Sequence, residues 1–132
     1  TADPVTDVDD VARLLTPAGE RVADPDLQQW IEDVDTAAIQ RLYRDMVLLR
    51  RIDAEGFALQ RQGELGLWPQ LLGQEAAQVG SGRALLPQDY VFPGYREHGV
   101  AWCRGIDPAK LLGLFRGVEL GGGQGGGADV AL

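Results

Sequence analysis

The chain has 132 residues, is 45% hydrophobic and carries a formal charge of −8, which fits one modest globular domain burying roughly two-thirds of its unfolded surface. No Lys or Arg run is longer than Arg50-Arg51, so a polyanion would find no basic stripe from which to release counterions, and nothing points to nucleic acid. No stretch approaches the roughly 20 apolar residues of a membrane span; Cys103 and His98 are the single residues of their kinds, which removes an intramolecular disulfide and a four-ligand zinc site and favours the cytoplasm.

The whole of the charge excess sits in residues 1–35, where ten acidic residues face only Arg13 and Arg21. This segment reads as a solvated acidic arm, with Pro17-Ala18-Gly19 as a turn. It lacks the basic and apolar regions of a signal peptide, and its start at Thr1 rather than Met points to a fragment or processed form. Asp35 or Thr36 can cap a helix running to about Gln62, with Ile39, Leu42, Tyr43, Met46, Leu49 and Ile52 recurring every three or four residues. Its other face carries Arg41, Arg44, Asp45, Arg51 and Glu55. Gly56 marks a close contact or bend, and Gly63 ends the helix.

Residues 73–86 place Ala76, Ala77, Gly80 and Ala84 at helical spacing. That stripe of small residues needs tertiary packing to hold it, so burial at a domain or subunit contact is expected. Pro87-Gln88-Asp89 makes a turn, and Tyr90-Val91-Phe92 is a short β-like run stopped by Pro93-Gly94. A short helix ends at Gly105, and Asp107-Pro108 restarts one whose buried face is Leu111, Leu112 and Phe115. Six of the seven residues from 121 to 127 are glycine, so 119–132 is expected to be a flexible tail.

Residues 92–99, Phe-Pro-Gly-Tyr-Arg-Glu-His-Gly, are the most chemically suggestive. Arg96 offers a planar fork of donors for phosphate or carboxylate, Tyr95 adds a hydroxyl, and free amides at the following helix start would favour an anion. On residue type alone the plainer role weighs more, with Arg96 bound to carbonyls or to Glu97. His98 is either a proton carrier or a residue that fixes the loop, the second being favoured because spacing identifies no partner for it. Cys103 reads as a buried free thiol. The glycine-rich tail is no phosphate loop, lacking the Lys-Ser or Lys-Thr such loops carry.

From about Leu42 to Val118 the sequence resembles the alpha subunits of the pyruvate and branched-chain 2-oxo acid dehydrogenases. The landmarks are Arg50-Arg51-Ile52-Asp53, then Leu72-Gly73-Gln74-Glu75-Ala76, then Tyr95-Arg96-Glu97-His98-Gly99. The leader Leu15-Thr16-Pro17-Ala18-Gly19-Glu20, and eleven Arg against one Lys, look like actinobacterial members. The resemblance implies that Tyr95 and Arg96 bind the diphosphate of thiamin diphosphate, and that Leu67 and Trp68 lie near the 2-oxo acid. Where pyruvate-specific mitochondrial relatives carry His, this chain has Pro69, so substrate preference does not carry over.

It further implies a mainly α fragment of an α/β thiamin-diphosphate-binding fold with the parallel sheet largely missing: an arm at 1–35, a helical portion at 36–118 and the tail. The implied reaction is oxidative decarboxylation of a 2-oxo acid with acyl transfer to a lipoyl group. The implied partners are a beta subunit, in a heterotetramer, and the lipoyl domain of the acyltransferase component. The family's Mg²⁺-binding Gly-Asp-Gly motif and downstream Asn belong beyond residue 118 and are absent here. The chain is therefore expected to be inactive alone. The alternative is a subunit-assembly segment without catalytic role.

Overall fold

A computed structural model describes residues 12–116, which contain five helices: α1 Pro25–Gln28, α2 Thr36–Arg61, α3 Glu75–Ala84, α4 His98–Cys103 and α5 Pro108–Arg116. No strand occurs among the described residues, only an isolated antiparallel bridge between Leu15 and Arg21. The tail expected at 119–132 lies outside them. The chain divides into two compact units, Thr1–Ile39 and Gln40–Leu132, so the boundary falls inside the first turn of α2, just past the one read at residue 35.

In the first unit, the expected turn at Pro17–Gly19 forms. Gly19 takes a positive φ of 83°, and Thr16 N donates to Glu20 O at 2.8 Å, closing the loop whose arms meet at the Leu15–Arg21 bridge. The short α1 starts because Asp24 Oδ1 accepts from Asp26 N (2.9 Å) and Leu27 N (3.1 Å) while Pro25 presets the first helical angle. No residue of α1 is buried.

Helix α2, whose residues from Gln40 onward belong to the second unit, runs about 39 Å over its 26 residues at 1.5 Å per residue. Its start is capped as expected, with Asp35 Oδ1 accepting from Ala38 N at 2.6 Å. The buried stripe is narrower than the periodicity implied. Leu42, Met46 and Leu49 pack into the core, and Asp53 and Gly56 continue it, whereas Ile39 is 58% and Tyr43 65% exposed. The core proper is Leu49, Leu71 and Val79, with Trp102 and Cys103 of α4 against it; each fully buried aliphatic side chain stabilises by roughly 1.5–3 kcal/mol.

The small-residue stripe of α3 faces outward in the single chain: Ala76, Ala77, Gly80 and Ala84 are all exposed, and the buried face is Glu75, Gln78, Val79 and Gly82, so of the two contacts expected to bury the stripe the one within the chain does not form. Val79 sets this rotation by entering the core, and Gly82 then meets α4, where a Cβ would stand 2.8 Å from Cys103 Cβ. Residues 90–92 are irregular rather than strand-like, with Tyr90 and Phe92 exposed. No described strand lies beside them to complete a ladder, and β propensity without a partner strand does not hold extended structure. The restart at α5 forms as read, with Asp107 Oδ1 accepting from Ala109 N at 2.7 Å and Leu111 buried.

Candidate functional site: the Tyr95–Gly99 loop and its supports

Residues 95–97 enter α4 with few local backbone bonds, so their placement depends on side chains and carbonyls from far along the chain. Two consecutive carbonyls, those of Pro69 and Gln70, hold two of the loop residues. Arg96 Nη1 donates to Gln70 O, and His98 Nε2 lies 3.0 Å from Pro69 O. Because a carbonyl only accepts, the proton of the His98 ring is assigned to Nε2. Burial pushes the imidazole pKa below its ordinary value, which keeps the ring neutral, and the ring packs against Trp68 (4.6 Å between centroids) and Phe115 (5.6 Å). His98 therefore fixes the loop, the favoured reading of its two roles.

The 68–71 segment that offers those carbonyls is itself held from α2. Asp53 Oδ1, buried in the helix interior, accepts from Trp68 Nε1 (2.9 Å) and Leu71 N (3.0 Å). Gly56, one turn along, leaves room for the indole: a Cβ there would be 2.2 Å from Trp68 Cε2. A parallel support comes from Arg50, whose Nε donates to Glu75 Oε1 at 2.8 Å, while Glu75 Oε2 accepts from Gly73 N at 3.0 Å. The hydrogen bond from Arg50 is the largest influence lowering the Glu75 pKa. The other end of the loop is tied to α3, where Gln78 bonds both Arg96 O and Gly99 N.

Tyr95 and Arg96 come together as the sequence suggested, with Arg96 Cζ 5.5 Å from the Tyr95 ring centroid and Tyr95 71% exposed. The guanidinium is also bound to a carbonyl, the plainer role weighed for it. Three of the amides in the first turn of α4 are engaged within the chain rather than free as the sequence suggested. Gly99 N is taken by Gln78 Oε1, and Val100 N and Ala101 N both donate to Glu97 O. Glu97 Oε2 is buried against Gly94 without a hydrogen-bond partner.

Leu67 and Trp68 face different environments. Leu67 is 57% exposed, whereas Trp68 is only 2% exposed and its indole N–H is committed to Asp53, so the indole serves the interior here. Phe92, Tyr95, Leu114 and Phe115 line a largely apolar pocket of about 320 Å³ that Glu97 and His98 also edge. Cys103 lies against Gly82 and its thiol pKa is raised by burial, which disfavours the reactive thiolate. Asp53 and Gln78 were not singled out from sequence as supports. Asp53 had a signal, since it falls on the stripe 42-46-49-53, where a carboxylate must find donors; Gln78 had none.

A family described as Dehydrogenase E1 component matches residues 43–131. The 3-methyl-2-oxobutanoate dehydrogenase subunit alpha of Mycobacterium tuberculosis (strain ATCC 25618 / H37Rv) is 41% identical over 112 residues, 85% of this chain and 30% of that protein. The 2-oxoisovalerate dehydrogenase subunit alpha 2, mitochondrial, of Arabidopsis thaliana is 38% identical over 94 residues, 71% of this chain and 19% of that protein. The pyruvate dehydrogenase E1 component subunit alpha of Bacillus subtilis (strain 168) is 35% identical over 85 residues, 64% of this chain and 22% of that protein. The chain thus spans at most 30% of the length of these three relatives. No solved structure matches it.

Proposed function

Because this chain belongs to the dehydrogenase E1 component family, we propose that it contributes one wall of a thiamin diphosphate site in an alpha subunit acting on 2-oxo acids. The observation that carries this reading is the pairing of an exposed Tyr95 with the Arg96 guanidinium on a loop anchored by Pro69, Gln70 and Gln78. The residues fit a diphosphate. Guanidinium has five N–H donors, so Arg96 can keep its bond to Gln70 O and still present others, and anchoring through that bond reduces the entropy lost on binding.

Within such a site Arg96 binds and neutralises phosphate charge, Tyr95 adds a hydroxyl donor, and neutral His98 holds the loop without introducing a competing charge. Leu67 is the exposed apolar side chain offered to the substrate's alkyl group. Thiamin diphosphate supplies the nucleophilic carbon and the electron sink for decarboxylation. With two side chains contacting the anion, and hydrogen bonds to charged groups contributing about 1.5–3 kcal/mol each, the chain by itself should bind only in the millimolar range, about −4 kcal/mol. An NMR titration of the full chain with thiamin diphosphate should shift the Tyr95 and Arg96 amides, and Arg96→Ala should remove the response. Shifts that spare residues 94–97, or micromolar affinity, would overturn this account.

Large exposed apolar side chains favour a second contribution, to assembly. Tyr43, Val47 and Phe57 on α2, together with Tyr90 and Phe92, face solvent, more than scattered surface residues require. The reading places a beta-type subunit against such surface, a lipoyl domain as acyl acceptor, and the assembly in the cytoplasm. Co-purification with a beta-type subunit tests it; a chain that stays monomeric beside that subunit argues against assembly. No helix among the described residues is long and apolar enough to cross a membrane.

A further inference from the structure

Gln78 is a buried side chain on α3 whose amide closes the anion loop from both ends. Its Oε1 accepts from Gly99 N at 2.9 Å, and its Nε2 donates to Arg96 O at 3.2 Å and to Gln74 Oε1 at 3.1 Å. The orientation of the amide follows from its partners, because Gly99 N can only donate and Arg96 O can only accept. Only a group with a donor and an acceptor on one carbon satisfies both ends. A carboxylate would lose the bond to Arg96 O, and an aliphatic side chain would lose both. Gly99 permits the approach: a Cβ there would stand 2.7 Å from Gln78 Oε1 and 2.5 Å from Leu49 Cδ2.

We propose that Gln78 is a positioning residue for anion recognition, acting through Arg96 rather than touching the anion. Its two bonds bracket residues 96–99 and fix the Arg96 backbone where the guanidinium reaches Gln70 O. Helix α3 thereby sets the orientation of a side chain 18 positions along the chain. The inference rests on the anion-binding reading of Tyr95 and Arg96 for its ligand, and on the hydrogen-bond geometry alone for the positioning.

The test uses the full chain with Gln78→Met, which removes both bonds without adding charge, and Gln78→Glu, which keeps only the acceptor. Without ligand, nitrogen NMR should show the Arg96 guanidinium rotating about fivefold faster in either variant, the factor expected for one lost hydrogen bond. The Arg104 guanidinium, held by the carbonyls of Leu86, Pro87 and Asp89, should be unchanged. A merely structural role would loosen both arginines together. On addition of inorganic pyrophosphate, the response at Arg96 should weaken by a similar factor in the variants.

Unaltered Arg96 rotation in a folded variant overturns the proposal, as does equal loosening of Arg104 or failure of both variants to fold. If the native chain shows no pyrophosphate response at Tyr95 or Arg96, the anion-binding reading fails; the ligand-free comparison of Arg96 with Arg104 still decides the role of Gln78.

Discussion

Gly56 and Trp68 compete for the same space, and the indole occupies it because residue 56 has no side chain. A methyl group at 56 would lie 2.2 Å from Trp68 Cε2, and the ring cannot retreat without releasing Asp53. Gly56→Ala should therefore destabilise the chain by about 1–3 kcal/mol through overpacking, even though alanine is the better helix former by about 1 kcal/mol. Gly80→Ala is the matched control: nothing lies within 4 Å of its Cβ, so it should stabilise by about 0.5–1 kcal/mol. Urea unfolding of both variants checks the pair, and equal shifts would remove the steric explanation. A second residue-scale outcome concerns pH. Burial lowers the His98 pKa in the folded protein, so below about pH 6.5 the unfolded chain takes up the proton more readily. Stability is then fully present above that value and falls as pH drops through it. Glu75, lowered chiefly by the Arg50 hydrogen bond, adds a later loss that begins near the ordinary glutamate value of about 4.3. Urea midpoints measured from about pH 8 down to about pH 3 should show two descents, and His98→Gln should abolish the first while leaving the second.

The helices show which parts of the fold were legible in the sequence. Two caps, Asp35 on α2 and Asp107 on α5, act as their residue types suggested, each accepting from an amide two or three positions on. Capping is local physics, readable without knowing the rest of the fold. Asp107→Ala should cost about 0.5–2 kcal/mol, measured as a lowered urea midpoint, and Asp107→Ser should restore most of it; an unaffected Ala variant would mean that α5 is held by Leu111 and Phe115 alone. What was not legible depends on rotation and on distant partners. The three-to-four spacing in α2 admitted Ile39 and Tyr43 to the buried face, but the core sits on the side of Leu42, Met46 and Leu49. In α3 the small residues drew attention, yet Val79 decided the face. The Tyr95–Arg96 pairing could be read from neighbouring letters. Gln78, 18 positions away, could not, and the carbonyls of Pro69 and Gln70 carry no residue-type signal at all.

Across the whole molecule, protection in the second unit should extend beyond its helices, because buried side-chain acceptors replace backbone ones where the chain is irregular. Leu71 N donates to Asp53 and Gly99 N to Gln78, both in buried surroundings. Amide hydrogen exchange is the direct measure, since slow exchange requires opening of the structure that shields the amide. Leu71 and Gly99 should exchange as slowly as the interior of α2 around Leu49, although neither amide bonds a backbone carbonyl in these contacts. Asp53→Ala leaves the amide of Leu71 and the indole of Trp68 without their acceptor, each at a cost of about 1–3 kcal/mol. Exchange at Leu71 should rise steeply in that variant, followed by exchange at Gly99, because the freed 68–71 segment no longer presents the Pro69 and Gln70 carbonyls to His98 and Arg96. Asp53→Asn keeps an oxygen for one or both donors and should show a smaller change. If Leu71 became labile while Gly99 stayed protected, the support would run through Gln78 alone, and the link from α2 to the Tyr95–Gly99 loop by way of residues 68–71 would be wrong. In the first unit α1 has no buried residue, so its amides should exchange close to the unprotected rate in every variant, which gives the experiment its internal reference.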